Sequence, residues 1–214
     1  LLGSLNQIWF LENFGDARKK TYEILKRLFD MIFAVILGLL SLILYPFIII
    51  AIKLGSRGPI FYKQKRVGQA SKSFEIVKFR TMIQDAEKST GAIWATDNDP
   101  RTTGIGKFLR RTRLDEFPQL WNILKGEMSF VGPRAERPEF QELLQKNVSF
   151  YEERYLIKPG LTGWAQINFH YGSSIQDAEE KLKYDLYYIK YRSLIFDLGI
   201  LLKTIRIAFQ QAGR

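Results

Sequence analysis

Asp115 and Glu116 stand side by side where a basic run meets an apolar segment, in Lys107-Phe-Leu-Arg110-Arg111-Thr-Arg113-Leu-Asp115-Glu116-Phe-Pro118-Gln-Leu-Trp121-Asn-Ile-Leu124. Arg110, Arg111 and Arg113 can hold a polyanion, and the carboxylates beside them can supply a nucleophile and a metal ligand. A neighbouring guanidinium favours the ionised carboxylate, as does a helix N-terminus. Pro118 is tolerated only in the first turn of a helix, so a helix is expected to begin close to Asp115. Free N–H groups at such a start bind anions. The combination points to phosphate chemistry. The same residues also fit ordinary helix-start grammar, with an Asp cap, a Glu in the first turn and arginines on a solvated face. Adjacent helical residues point about 100° apart. The pair therefore suits a division between nucleophile and Mg²⁺ ligand better than one shared role.

Several chemistries lack their parts. The 214 residues contain no cysteine, and His170 is the single histidine. Thiolate metal sites are excluded, and any Ser-His or multi-His zinc mechanism lacks parts. There is no Gly-x4-Gly-Lys-[Ser/Thr] loop and no Gly-rich dinucleotide turn. The formal charge of +10 and pI near 9.7 imply an anionic partner: nucleic acid, anionic lipid or a phosphorylated substrate.

The dyad must be positioned by something, and the largest candidate element is residues 31–52, MIFAVILGLLSLILYPFIIIAI, uncharged between Asp30 and Lys53. As a straight helix it would reach ~33 Å, against a hydrocarbon core of about 30 Å. A segment apolar on every face belongs in a membrane rather than a soluble core. Both flanks are basic, with Arg18, Lys19, Lys20, Lys26 and Arg27 before and Lys53, Arg57, Lys63, Lys65 and Arg66 after. That symmetry argues for both ends on the cytoplasmic side. Pro46 deletes a backbone hydrogen bond inside the run, and Ser41 and Gly38 lie nearby to ease a bend. A helix that enters, breaks at Tyr45-Pro46 and returns to the same face is favoured over a spanning one.

The rest of the chain divides simply. Residues 1–20 form a lead-in, 21–57 the re-entrant membrane helix, and 58–214 a cytosolic catalytic domain. Gly55-Ser-Arg-Gly58-Pro59 stops the first helix. Residues 60–64 and 74–79 read as a hairpin around a Gly/Ser/Lys turn, and 81–88 as a short helix. Asp97-Asn-Asp99-Pro100 is a turn whose oxygens could bind a cation. Residues 115–125 are helical and closed by Gly126, and a rigid loop then carries Arg134 and Arg137. A helix is expected over 139–147, and a long helical tail over 176–209, interrupted near Ser193. Tyr184, Tyr187, Tyr188 and Tyr191 recur at helical spacing, either packed on the core or at headgroup level. The expected class is α+β and mostly helical, with a re-entrant hairpin, interfacial amphipathic helices and a small β-hairpin.

From Lys26 to Phe209 the chain resembles the bacterial sugar transferase family, the monotopic phosphoglycosyl transferases. The motifs are Gly58-Pro-Ile-Phe-Tyr-Lys-Gln64, Lys78-Phe-Arg80-Thr-Met82, Asp99-Pro-Arg101, Leu114-Asp-Glu-Phe-Pro-Gln-Leu-Trp-Asn122, Met128-Ser-Phe-Val-Gly-Pro-Arg134 and Lys158-Pro-Gly-Leu-Thr-Gly-Trp-Ala-Gln166. Each is weak alone, and their order is specific. The tail Tyr184-Asp-Leu-Tyr-Tyr-Ile189 is similar to larger, exopolysaccharide-initiating members. The resemblance implies transfer of a sugar 1-phosphate from a UDP-sugar, with glucose or galactose favoured, to undecaprenyl phosphate. The resemblance also implies release of UMP at the cytoplasmic face of the bacterial inner membrane. It implies that Asp115 becomes phosphoglycosylated, that Glu116 helps hold Mg²⁺, and that Lys78, Arg80, Arg110 and Arg134 contact phosphate. A re-entrant helix, membrane lipids as partners and a homodimer are further implications, with no role for nucleic acid. Larger members carry further N-terminal domains, so the chain is expected to be a catalytic-only form or a portion of something longer. Two departures stand out. Ala135 follows Arg134 where many members have proline, which leaves Arg134 and Arg137 as competing substrate ligands. Arg113 adds a charge where many have Ser or Thr. Direct transfer in a ternary complex, with Asp115 as base, and a membrane-anchored anionic-ligand binder are the rival readings.

Overall fold

A computed structural model describes residues 20–88, 91, 99–169 and 174–212. His170, Asp97, Asn98 and nearly all of the 1–20 lead-in lie outside the described residues. Helix α1 (Lys20–Leu42) and helix α2 (Tyr45–Gly55) form the apolar element. No single described helix is long and apolar enough to cross a membrane, but these two pass that test together, bent by 60° at the break. The break falls at residues 43–44, just before the expected Tyr45-Pro46 position. Pro46 occupies the first turn of α2, where its missing N–H removes no helical bond. Ser41 supports the end of α1 by donating its hydroxyl to Gly38 O at 2.7 Å. Leu44 N–H closes the turn on Ser41 O at 2.9 Å.

Only Tyr22, Asp30, Ala34 and Ser41 of α1 are buried. Leu25, Ile32, Val35, Ile36, Leu39 and Leu40 face outward, as do Phe47, Ile50 and Leu54 of α2. A continuous apolar surface of this kind exceeds what a soluble exterior carries. Ala34 of α1 packs into the apolar core, while the polar residues on that side of the helix are held by hydrogen bonds. Arg27 donates to Ile123 O (2.5 Å) and Leu124 O (2.7 Å), and Asp30 accepts from Ser129 Oγ and Phe130 N–H, both at 3.1 Å.

Strands β1 (Phe61–Val67) and β2 (Ser73–Phe79) form the expected antiparallel hairpin, with Tyr62 opposite Lys78. The helix expected over 81–88 is absent. Met82 instead bridges Thr102, while Thr81 O and Arg101 O take the N–H groups of Thr103 and Ile83. Tertiary pairing overrides a weak local propensity here. Helix α3 (Gly104–Arg111) follows, capped by Thr103. A 3₁₀ turn (Leu114–Gln119) then runs into α4 (Leu120–Lys125), which Gly126 ends at φ +83°. Strands β3 (Ser129–Val131) and β4 (Gly160–Thr162) pair in parallel, a second sheet that local periodicity does not reveal. Gly160 is obligatory there, because a Cβ would lie 2.1 Å from Gly132 N. Helices α5 (Pro138–Asn147), α6 (Trp164–Asn168), α7 (Ile175–Tyr191) and α8 (Leu194–Ala212) complete the layer.

Three apolar clusters hold these parts. The first joins Val67 to α5 and α7 through Leu144, Leu186 and Ile189. The central one gathers Ala34, Ile76, Ile123, Val131, Tyr188 and Ile200. The third packs Ile48 and Ile52 on Phe79 and Leu109. The tyrosine series splits: Tyr188 is core, whereas Tyr187 and Tyr191 are exposed.

Candidate active site

The dyad sits on the 3₁₀ turn, not at an α-helical N-terminus. Arg113, at φ +60°, turns the chain into it, and Glu116 N–H bonds Arg113 O at 3.2 Å. Pro118 therefore lies within the 3₁₀ turn, one residue before the last, and no side chain caps the start. A non-glycine residue in the left-handed region is strained, and such strain gathers at functional sites. Asn122 fixes this segment to the hairpin, since its side-chain amide donates to Glu75 O and Glu127 Oε2, both at 2.7 Å. Both dyad carboxylates are consequently buried, each 7% exposed.

Cations surround Glu116. Lys78, on the cleft-facing side of β2, donates to Glu116 Oε1 at 2.8 Å. Arg134 lies 3.8 Å from the same oxygen, and Arg113 lies 3.8 Å from Oε2. Burial pushes Glu116 up, but Lys78, Arg134 and Arg113 outweigh it and hold the carboxyl well below its usual range. Asp115 goes the other way. Burial, and then the Glu116 charge, raise it to about 6 against the pull of Lys78, Arg110 and Arg113. Two adjacent carboxyls are thus driven apart in acidity, the pattern by which a site assigns different roles to like groups. Asp115 Oδ1 is buried with no hydrogen-bond partner. An ionised oxygen left unmatched inside a protein is costly unless something binds it.

Of the residues singled out by sequence, Lys78, Arg134 and the dyad come together, and Arg110 approaches from α3. The Arg110 guanidinium is positioned by Thr81 Oγ1 (2.9 Å) and Thr102 Oγ1 (3.2 Å). Arg80 and Arg137 are engaged elsewhere. Arg80 donates to Arg57 O and to Ser56 O at 2.9 Å, tying down the segment after α2. Arg137 grips Glu87 through two 2.9 Å bonds and also meets Glu139 at 3.5 Å. Between the two candidate loop arginines, it is Arg134 that reaches the dyad. Asp99, from the turn considered for a cation, is committed to Arg101.

Sequence reasoning passed over two cleft residues. Arg66, read only as a basic flank, donates to Ala135 O at 3.0 Å and lines the cleft with Lys78, Glu116 and Arg134. Gln119 lines it too, and its amide nitrogen is buried without a partner. Arg66 lies on β1, on the hairpin face that also carries Ile76 and Lys78, so alternation continued through residue 66 points to it, whereas Gln119 lies outside the hairpin on the 3₁₀ turn.

Among the described residues no group of three or more His, Cys, Asp and Glu gathers as a ready metal cage. The donor set nevertheless fits Mg²⁺, which takes one or two carboxylates and otherwise water and substrate phosphates. Asp115 Oδ1 is unmatched, and Glu116 Oε2 is beyond direct hydrogen bonding from Arg113.

Relatives include a UDP-N-acetylgalactosamine-undecaprenyl-phosphate N-acetylgalactosaminephosphotransferase of Aeromonas hydrophila, 42% identical over 86% of this chain and 44% of the relative. A UDP-glucose:undecaprenyl-phosphate glucose-1-phosphate transferase of Xanthomonas campestris pv. campestris is 38% identical over 93% and 42%. An exopolysaccharide production protein of Rhizobium leguminosarum bv. phaseoli is 39% identical over 85% and 94%. The chain spans about two fifths of the length of the first two. The family model described as bacterial sugar transferase matches residues 21–211, a stretch that contains the dyad, its cations and both apolar helices. With the motifs in order and that match over nearly its whole length, this chain belongs to the bacterial sugar transferase family.

Proposed function

We propose that the chain transfers a sugar 1-phosphate from a UDP-sugar to undecaprenyl phosphate, releasing UMP, through a covalent adduct on Asp115. The observation that carries this reading is the unmatched, buried Asp115 oxygen beside a Glu116 held ionised by Lys78, Arg113 and Arg134. In the first half, an Asp115 oxygen attacks the phosphorus bonded to the sugar, and the bond to UMP breaks. In the second, an oxygen of the lipid phosphate attacks the same phosphorus, and the Asp115 carboxylate leaves. Splitting one displacement into two is the ordinary advantage of a covalent intermediate. Lys78, Arg110 and Arg134 supply fixed positive charge where the phosphoryl oxygens gather it, the main catalytic contribution in phosphoryl transfer. Glu116 would hold Mg²⁺, which when bound neutralises diphosphate charge and orients the leaving group.

The bent apolar pair and its outward-facing leucines and isoleucines support a re-entrant seat in the inner membrane, with the cleft on the cytoplasmic side. Relatives named for glucose 1-phosphate and for N-acetylgalactosamine transfer widen the donor to a UDP-hexose or UDP-N-acetylhexosamine. Intact-mass spectrometry of enzyme quenched with UDP-sugar in the absence of lipid acceptor tests the mechanism. A sugar-phosphate adduct that disappears in Asp115→Asn supports it. Lipid product formed with no adduct at any time favours direct transfer, with Asp115 as base.

A further inference from the structure

The proposed reaction uses the charged side chains of the cleft but leaves out a neutral one. Gln119 is 3% exposed and lines the same cleft as Lys78, Glu116 and Arg134, and its Nε2 has no hydrogen-bond partner. A buried amide nitrogen without an acceptor costs about 1–3 kcal/mol. A methionine or leucine in that place would avoid the cost, so packing does not account for glutamine. On a 3₁₀ turn residues three apart eclipse, so Gln119 stands on the face of Glu116, the immediate neighbour of Asp115. Asp115 and Gln119 each carry a buried polar atom with nothing attached, one an acceptor and one a donor. A single group that both accepts attack at its centre and offers an oxygen at its edge satisfies the two together. A phosphoryl group is such a group.

We infer that Gln119 is a catalytic residue, whose Nε2–H donates to a non-bridging oxygen of the phosphoryl group as it passes onto and off Asp115. This rests on the reading of Asp115 as nucleophile. No proton moves: the amide keeps both hydrogens, and the bonds made and broken at phosphorus are those of the two displacements above. A neutral donor suits this position. The cleft already holds Lys78 and Arg134, and burial, followed by the nearby Arg134 charge, lowers the Arg66 guanidinium to about 10. Another cation would repel these, whereas an amide adds a directed donor without adding charge.

The test is Gln119→Met, close in volume and without a donor. The inference expects kcat to fall about 10²-fold, the usual loss on removing one oxyanion donor. The KM for UDP-sugar should change less than about threefold, and the melting temperature should hold or rise, because an orphan buried donor has gone. A structural glutamine predicts the reverse, a lower melting temperature with kcat per folded molecule preserved, and that result overturns the inference. Should the methionine variant fail to accumulate, Gln119→Leu is measured in the same way. A donor with sulfur replacing one non-bridging oxygen on the sugar-linked phosphate gives an independent readout. For one diastereomer, wild type slows more than Gln119→Met, whereas equal slowing of the two proteins for both diastereomers overturns the inference. Asp115→Asn is run in parallel. Full activity there defeats the nucleophile assignment itself, while an inactive Asp115→Asn beside a normal Gln119→Met defeats only the role of Gln119.

Discussion

Asp197 and Asp115 are buried almost equally, at 6% and 7% exposed, and differ in everything else. Asp197 accepts from Tyr188 at 2.7 Å on one oxygen, and from Lys26 at 2.7 Å and Tyr22 at 2.9 Å on the other. Its partners come from α1 and α7, so this saturated carboxylate of α8 fastens the apolar helix to the C-terminal pair. Asp115 keeps an oxygen with no donor. Burial alone therefore does not distinguish a chemical site from a structural one in this fold. Saturation does, because a satisfied carboxylate has no affinity to spare for phosphorus.

The largest effect expected from that contrast is on turnover. Asp115→Asn should lower it by at least ~10³-fold, the scale of losing a nucleophile, while the folded state holds or gains stability. Lys78→Met comes next. It strips Glu116 of its nearest cation inside the protein, and kcat/KM should drop by about 10²-fold with a stability loss of ~3 kcal/mol. Asp197→Ala should do the opposite of Asp115→Asn, costing ~2–4 kcal/mol in denaturant unfolding while activity per folded molecule stays within about threefold. If Asp197→Ala and Asp115→Asn behaved alike, the contrast between the two sites would be empty.

The pH dependence sharpens the same comparison. Burial, and then the Glu116 charge, raise Asp115 to about 6 in the fold, so the proposed nucleophile is protonated as pH falls through 6. The acidic limb of kcat/KM for UDP-sugar, which reports the free enzyme, should lie near 6 rather than near 4. For stability the sign is reversed. A raised folded pKa gives a contribution fully present below the unfolded value and lost as pH rises through 6. Wild type should therefore gain on Asp115→Asn in stability as the pH is lowered from 7 to 5. The smallest effect belongs to Arg137→Lys, which breaks the fork on Glu87 and should cost ~1 kcal/mol with less than about threefold change in activity. Arg134→Lys should cost more activity and less stability.

The dyad, the hairpin and the apolar element were legible because each is written in adjacent residues: two carboxylates, alternating β-formers around a turn, an uncharged run. The directions of the arginines were not. Phe79 enters the third cluster and Lys78 the cleft, but Arg80 lies past the strand end and folds back on carbonyls of residues 56 and 57. Arg137 looked equivalent to Arg134 until Glu87, fifty residues earlier, was seen to hold it. The expected helix over 81–88 failed for the related reason that its backbone groups pair with residues 101–103. Gln119 was missed because an unmatched donor is a property of the packed interior, and no spacing rule records what a side chain lacks.

Arg27 and Asp30 of the apolar helix bond the carbonyls of residues 123 and 124 and the amide of residue 130, immediately beyond the dyad's own turn. These bonds tie the segment that carries Asp115 to that helix. On the proposed membrane seat, the height of the cleft above the hydrocarbon would be set by the protein and not by the length of either substrate. Reconstitution in phospholipids of graded acyl-chain length ought then to alter turnover with the lipid acceptor while leaving formation of the Asp115 adduct from UDP-sugar untouched.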